Sequence, residues 1–104
     1  MEEYEQFFKS LPGFHLLKIK PEYLESIADG SKTFEIRKND RNFCKGDRLI
    51  LAEYVAGRYT NRIIVVDVVY ITDFEQKEEY CVLGIEPSVI SLGYVKSLLR
   101  GLYD

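Results

Sequence analysis

Gly30-Ser-Lys-Thr-Phe-Glu-Ile-Arg-Lys-Asn-Asp-Arg41 is the stretch around which we expect the fold to be organised. Gly30 follows a predicted helix, and glycine adopts the left-handed backbone conformation that ends a helix without steric cost. The next residues alternate between an apolar pair and a polar trio, namely Phe34 and Ile36 against Thr33, Glu35 and Arg37. In an extended strand the two sets lie on opposite faces. The pattern therefore predicts a strand with the apolar pair toward the core and the polar trio on the other face.

The composition indicates one small domain with a local excess of positive charge. The chain has 104 residues, of which 46% are hydrophobic, and this is too short for two independent domains. Its net charge of −3 argues against binding of nucleic acid through bulk charge alone. Between Lys18 and Arg48, however, eight Lys or Arg stand against six Asp or Glu, so this segment is +2. Any anionic ligand is therefore expected to be held there.

Three other classes of protein are disfavoured by simple features. Cys44 and Cys81 are far apart and in no metal-ligand spacing, so we expect reduced thiols, no zinc site and no cofactor. The N-terminus is acidic where a secretory leader is basic and then apolar. No apolar run approaches the roughly 20 residues of a membrane helix. The sequence predicts a cytoplasmic protein without a membrane partner.

The elements outside the central stretch follow from hydrophobic periodicity. A helix is predicted from Pro21 to the glycine at 30, with Leu24 and Ile27 on its apolar face. Strands are predicted over residues 14–20, 48–55, 61–72 and 80–85, in addition to the strand that ends at 37. The β-branched run 61–72 is predicted to be the central strand, covered on both faces. This gives an α+β protein whose single sheet curls on itself to avoid open edges.

Two polar residues lie in or beside predicted strands. Asp67 interrupts the β-branched run, and we expect it at a bulge or facing solvent, because a buried carboxylate needs partners. His15 is the only histidine and begins a strand, without a cysteine or serine nearby. It is expected to be hydrogen-bonded or solvated and not catalytic.

The central stretch also resembles a known family. Gly30, Lys32, Glu35 and Arg37 spell G-x-K-x-x-E-x-R, which is similar to the signature of the ASCH (activating signal cointegrator homology) domains of the PUA-like superfamily. The wider run from His15 to Gly46-Asp resembles a small bacterial and phage branch of that group, catalogued mainly as a domain of unknown function. The resemblance implies a PUA-like curled β-barrel of five to six strands, with a helix after the first strand. We expect one such domain over residues 1–104, with its motif-bearing core over 15–87 and added helices over 2–10 and 88–103.

The resemblance further implies an RNA- or modified-nucleoside-binding module. The ligand would lie in a cleft between the barrel and the helix before the motif. The expected ligand-binding residues are Gly30, Lys32, Glu35, Arg37, Lys38, Asn39 and Arg41. The aromatic side chains available to stack on a base are Phe34, Phe43, Tyr54 and Tyr80.

Alternatives to this function remain open at the level of sequence. Glu35 and Arg37 can simply form a surface ion-pair ladder with neighbouring strands. Some ASCH-like proteins resemble N4-acetylcytidine amidohydrolases or ribonucleases, and Lys32 and Glu35 would then be catalytic. The amidohydrolase pattern keeps the lysine but has threonine in place of Glu35, and a carboxylate favours the charged ammonium, so binding ranks above catalysis. A regulator acting through protein contacts is the third alternative, favoured if the terminal helices fill the cleft.

Overall fold

The computed structural model describes residues 5–88 of the chain. Its elements in chain order are α1 (Glu5–Ser10), β1 (Phe14–Ile19), α2 (Pro21–Ala28), β2 (Phe34–Lys38), β3 (Arg48–Val55), β4 (Arg58–Thr72) and β5 (Tyr80–Pro87). Every strand predicted from periodicity is present, as is the helix that begins at Pro21. The helix predicted over 88–103 lies outside the described residues apart from its first position, as do residues 2–4 of the N-terminal helix.

The described strands form one five-stranded sheet in the order β1-β3-β4-β5-β2. β1 is parallel to β3, and all other neighbours are antiparallel. The sheet curls into a half-barrel, which confirms the predicted α+β fold class. β1 and β2 are its two edges, and the chain between β1 and β3 contains both α2 and β2. None of the described helices is long and apolar enough to cross a membrane.

The inner face of the curled sheet carries the larger core. α2 covers this face with Leu24 and Ile27, which are spaced three apart on its apolar side. Phe43, from the loop before β3, fills the space beside them. The buried side chains that complete this core are Leu17, Ile19, Leu49, Leu51, Val66, Val68, Cys81, Leu83 and Ile85.

The outer face carries a smaller core under α1. It joins Phe8 of α1 to buried residues of three strands, namely Leu16, Ile50, Ala52 and Val65. Residues 49–52 of β3 are at most 1% exposed because their side chains enter the two cores alternately. β3 is therefore the strand that is covered on both faces.

β4 differs in part from its prediction. It occupies the middle position of the sheet, but Val69 is 36% and Tyr70 61% exposed. The prediction that β4 is covered throughout is wrong because α1 packs over the outer face only as far as Val65. A register shift between Val68 and Tyr70 marks a bulge, close to the half-buried Asp67, whose carboxylate lies 3.8 Å from Arg48 Nε.

His15 is hydrogen-bonded, as predicted. Its Nε2 lies 2.8 Å from Asp47 Oδ2, and its ring packs edge-on against Phe43 at 4.9 Å. The same Asp47 oxygen accepts a hydrogen bond from the Cys44 N–H at 2.9 Å, which fixes the turn before β3. The histidine thus holds this loop against the inner core.

Candidate functional site

A cavity of about 440 Å³ lies between the two edges of the half-barrel. One wall is the end of β1 with the start of α2, and the other is β2. Its lining residues are Lys18, Ile19, Lys20, Tyr23, Lys32, Phe34, Glu35, Ile36 and Arg37. The cavity is therefore the cleft beside the G-x-K-x-x-E-x-R motif that the sequence pointed to, and it is open among the described residues.

The corner between α2 and β2 positions Lys32. Gly30 has φ +85°, and its N–H donates to the Ile27 carbonyl at 3.2 Å, which ends the helix as predicted. The Lys32 N–H then donates to the Ser26 carbonyl at 2.9 Å. Ser31 donates from its N–H to Asp29 Oδ1 at 2.8 Å, and hydrogen bonds from its hydroxyl and N–H lower the pKa of that carboxyl. These bonds tie the corner to the helix, so the lysine leaves a fixed backbone.

Glu35 is the centre of the site. It is only 3% exposed, and its two carboxylate oxygens are each paired. Lys32 Nζ donates to Oε1 at 2.5 Å, and Arg37 Nε donates to Oε2 at 2.7 Å. A buried carboxylate with two cationic partners is compensated for the loss of water. The alternative of a surface ion-pair ladder is wrong, because this carboxylate is buried.

The faces of β2 are the reverse of the prediction. Glu35 points inward, whereas Phe34 is 43% and Ile36 53% exposed on the outer side. The alternation identified the two sets correctly but assigned the core to the wrong one. The reason is position: β2 is an edge strand, the charges of Lys32, Glu35 and Arg37 are paired on its inner face, and no described element covers its outer face.

Two arginines connect the facing edges. Arg37 Nη2 donates to the Lys18 carbonyl at 2.9 Å, and Arg41 Nη1 donates to the Leu16 carbonyl at 3.1 Å. Both acceptors belong to the outer edge of β1. The half-barrel is thus bridged by side chains at the place where a closed barrel would have backbone pairs.

The cavity is strongly positive relative to the chain. Four of the described residues that line it have cationic side chains and one has a carboxylate, in a chain of net charge −3. Lys32 Nζ lies 4.6 Å from the Tyr23 ring centroid and 5.5 Å from that of Phe34, and both rings are exposed. Lys32 and two exposed ring faces therefore occur together at one opening. Lys18 Nζ lies 4.3 Å from the ring centroid of Tyr54, which is half-buried and does not line the cavity.

The structure brings together three of the residues predicted to bind the ligand. Lys32, Glu35 and Arg37 line the cavity, and the remaining four do not. Gly30 instead adopts the positive φ that ends α2 at the corner before β2. The others are engaged elsewhere: Lys38 lies 3.6 Å from Glu79, Asn39 accepts from the Phe43 N–H at 3.0 Å, and Arg41 bonds to β1.

The fold also shows which of the aromatic residues expected to stack on a base lie at the cavity. Phe34 lines the cavity, but Phe43 is 5% exposed in the inner core and cannot stack on a ligand. Tyr80 lines a different depression. Sequence reasoning missed Lys18, Lys20 and Tyr23, which face the motif across the cavity. The available signal was the pair of lysines, two apart, directly before the helix that leads to the motif.

Within residues 5–88, no three His, Cys, Asp or Glu side chains come together as a metal site requires. Cys81 is buried beside β2, where burial and the charge of Asp73 raise the pKa of its thiol. Cys44 is exposed in the loop before β3.

Comparisons with known proteins give a family and a fold. Residues 14–85 match the family described as "Domain of unknown function (DUF3850)". The "Uncharacterized 12.9 kDa protein in GpA 3'region" of Escherichia phage P2 is 37% identical over 70 residues, which are 66% of this chain and 64% of that protein's length. A crystal structure of a mutant of the ZmASCH protein from Zymomonas mobilis aligns with a TM-score of 0.55 at 15% identity, covering 83% of this chain and 81% of that one. The half-barrel thus has the ASCH/PUA-like fold that the resemblance implied.

Proposed function

The chain belongs to the DUF3850 family, and we propose that it binds an RNA nucleotide or a modified nucleoside in the cavity between β1 and β2. The observation that carries the proposal is the composition of the wall. Four cations stand against one buried carboxylate, and two exposed rings lie beside them, in a chain that is acidic as a whole. Phosphate and an aromatic base are the ligand groups that this combination complements.

The dimensions of the cavity agree with a ligand of that size. Its volume of about 440 Å³ falls in the range of small-molecule sites, roughly 300–1,000 Å³. The Tyr23 and Phe34 rings are accessible to a base, and Lys18 and Lys20 stand on the opposite wall from Arg37. The chain shares its fold with ZmASCH, but the ligand is inferred from these side chains and not from that fold.

The geometry favours binding over proton abstraction by Lys32. Its ammonium donates to Glu35 at 2.5 Å, and the same carboxylate holds Arg37. A lysine that serves as a base must have a free amine nitrogen, whereas the Lys32 nitrogen already donates to Glu35. As a cationic side chain, Lys32 is suited to attract an anionic ligand.

A titration tests the proposal. Wild-type protein is titrated by calorimetry with the four nucleoside 5′-monophosphates and with a single-stranded RNA hexamer. For the hexamer we expect binding that weakens with salt by about 0.7 log units of affinity per log unit of salt for each phosphate contacted. Lys32→Ala should weaken binding about tenfold, because it removes a cation from the wall.

The matched control is Lys45→Ala. Lys45 is exposed in the turn before β3 and outside the cavity, so its loss removes the same charge without touching the site. Two results contradict the proposal: no binding up to high micromolar protein, or an equal loss of affinity in both variants. Circular dichroism confirms that each variant is folded.

The same samples decide between binding and hydrolysis. They are assayed for N4-acetylcytidine hydrolysis and for RNA cleavage, with Glu35→Thr added to restore the amidohydrolase pattern. Wild-type turnover that disappears in Lys32→Ala would reverse the ranking of binding above catalysis. Activity that occurs only in Glu35→Thr would indicate that the pocket is kept and the chemistry lost.

A further inference from the structure

Alternate residues of β2 direct their backbone N–H and C=O groups away from the neighbouring strand β5. The Ile85 N–H donates to the Thr33 carbonyl at 2.9 Å, and the Asn39 N–H donates to the Glu79 carbonyl at 2.7 Å. In an antiparallel ladder such bonded positions recur at every second residue. The odd-numbered residues of β2 therefore face β5, and the N–H and C=O groups of Phe34, Ile36 and Lys38 point away from the sheet.

The free edge of β2 runs along the wall of the cavity. Among residues 5–88, β2 pairs with β5 alone. Phe34 and Ile36 line the cavity, and Lys38 does not. Ile36 lies on this edge, and its N–H and C=O, which point away from β5, are directed to the side of the strand that the cavity borders. One donor and one acceptor on the same residue are thereby offered to a ligand.

The facing edge of β1 is occupied. The Arg48 N–H donates to the Gly13 carbonyl at 2.7 Å, so the parallel register directs odd-numbered residues of β1 to β3 and even-numbered ones outward. The outward carbonyls of Leu16 and Lys18 accept from Arg41 and Arg37. Arg37 bridges the seam at the wall of the cavity, and Arg41 bridges it outside the cavity. An extended peptide along the seam would have to displace both arginines, whereas a compact ligand in the cavity would not.

We infer that the Ile36 N–H and C=O hydrogen-bond the Watson–Crick edge of the bound nucleobase. This rests on the proposed function and specifies how the ligand is read. A base edge presents an acceptor beside a donor, which matches the donor and acceptor of one extended residue. The contact would satisfy two backbone groups that a ligand in the cavity shields from water. The nucleobase would then be recognised by backbone groups, which the strand β2 positions, and by no polar side chain.

Proline at position 36 tests the contact. Ile36→Pro removes an N–H that the β2–β5 ladder does not use, and proline is tolerated on an edge strand at such a position. Two controls separate the causes. Ile36→Ala keeps the N–H and removes the side chain, and Lys38→Pro removes an N–H on the same edge but outside the cavity.

Affinity is measured for the nucleoside 5′-monophosphate that binds wild type best. We expect Ile36→Pro to bind about tenfold more weakly than Ile36→Ala, which keeps the N–H, and Lys38→Pro to stay within about twofold of wild type. Equal losses in Ile36→Pro and Lys38→Pro overturn the inference, because they indicate a requirement for the whole edge, as in the addition of a peptide strand. Unchanged affinity in Ile36→Pro also overturns it.

A measurement on the wild-type protein covers the case in which Ile36→Pro does not fold. Saturation with the same nucleotide should shift the amide proton resonance of Ile36 and slow its exchange with solvent, and should leave that of Lys38 unchanged. An unaffected Ile36 amide contradicts the inference while the proposed function stands. Absence of binding by wild type to the four nucleotides and to the RNA hexamer would instead refute the proposed function, and with it this inference.

Discussion

The centre and the edge of the sheet bury glutamates in different ways. On β3, Glu53 is 5% exposed; its Oε1 accepts from the Thr60 hydroxyl at 2.7 Å, and its buried Oε2 has no hydrogen bond, with Arg62 Nη1 at 3.7 Å. On β2, both oxygens of Glu35 are paired with cations at the wall of a cavity. The comparison shows that the central carboxylate is tolerated within the fold, whereas the edge carboxylate organises a charged site.

The largest expected effect is the loss of folding when one negative charge is placed in the centre of the sheet, compared with the same charge at its edge. Val66→Asp or Val68→Asp places a carboxylate in the inner core at positions that are 1% exposed, where it has no partner. Because a domain of this size is stabilised by only about 5–15 kcal/mol, we expect either variant to be unfolded. The measurement is a thermal melt followed by circular dichroism.

The matched substitution at the edge is Ile36→Asp. Ile36 is 53% exposed on the outer face, so the melting temperature should change by only a few degrees. A cooperative melt of Val66→Asp near that of wild type would mean that β4 is wrongly placed. Equal loss of structure in Ile36→Asp would mean that the outer face of β2 is covered.

The next effect compares the two glutamates. Glu35→Leu leaves Lys32 and Arg37 without their shared partner, at 17% and 23% side-chain exposure. We expect a loss of about 2–4 kcal/mol of unfolding free energy, below the full value for a buried pair because both cations reach solvent. Glu53→Leu removes one oxygen that is already unsatisfied and one that accepts from the exposed Thr60, while Arg62 keeps its partner Glu25, so the variant should stay within about 1 kcal/mol of wild type.

Urea denaturation of the two leucine variants measures the difference. Glu35→Gln keeps the shape and one acceptor and should recover part of the loss. A larger loss in Glu53→Leu than in Glu35→Leu would remove the distinction between the two carboxylates.

A smaller effect is expected for the bridge between the edges. Arg41→Ala removes one hydrogen bond from a guanidinium to the Leu16 carbonyl, and this side chain is 35% exposed. We expect a loss of about 1 kcal/mol of unfolding free energy and faster amide exchange along β1. Because Arg41 does not line the cavity, nucleotide affinity should not change. A loss of affinity comparable with that of Lys32→Ala would instead place Arg41 in the binding site.

The smallest effect concerns the cysteines and requires no substitution. Cys81 lies 2% exposed on the inner face, next to Arg37 on β2, and burial raises the pKa of its thiol. A raised pKa means less thiolate at a given pH, so iodoacetamide should label Cys44 first, and labelling of Cys81 should need both a higher pH and local opening. Mass spectrometry of the labelled peptides follows both sites. Equal rates at neutral pH would show that the inner face near β2 is open to solvent.

The pattern of apolar residues predicted the elements well and their surroundings less well. The helix from Pro21, the corner at Gly30 and all described strands follow from periodicity and turn chemistry, which act over a few residues. Which face of β2 is covered depends on α2 and on the sheet order, and these are set by distant contacts. Alternation states which side chains share a face, and it carries no information on what lies opposite. For this reason alternation alone wrongly predicts that Phe34 and Ile36 face the core.

The sequence predicts that the motif residues lie together, but it does not predict which residues face them. Lys32, Glu35 and Arg37 converge because a corner and a short strand hold them. Lys18 and Lys20 join them only because β1 and β2 are the facing edges of a curled sheet. Arg41 is close in sequence to the motif, yet its guanidinium extends to β1 beyond the cavity.

The crossover from β1 to β3 has a consequence for how this protein can diversify. Among residues 5–88, every residue that lines the cavity lies between positions 18 and 37, in one continuous segment. The antiparallel strands β3, β4 and β5 contribute none of them, and β2 is held to β5 by backbone pairing that does not depend on its side chains. We therefore expect that the exposed residues of this segment, such as Lys20 and Tyr23, can be exchanged and ligand preference changed while the central strands keep their packing. Ile19 and Glu35 are buried and are expected to be retained.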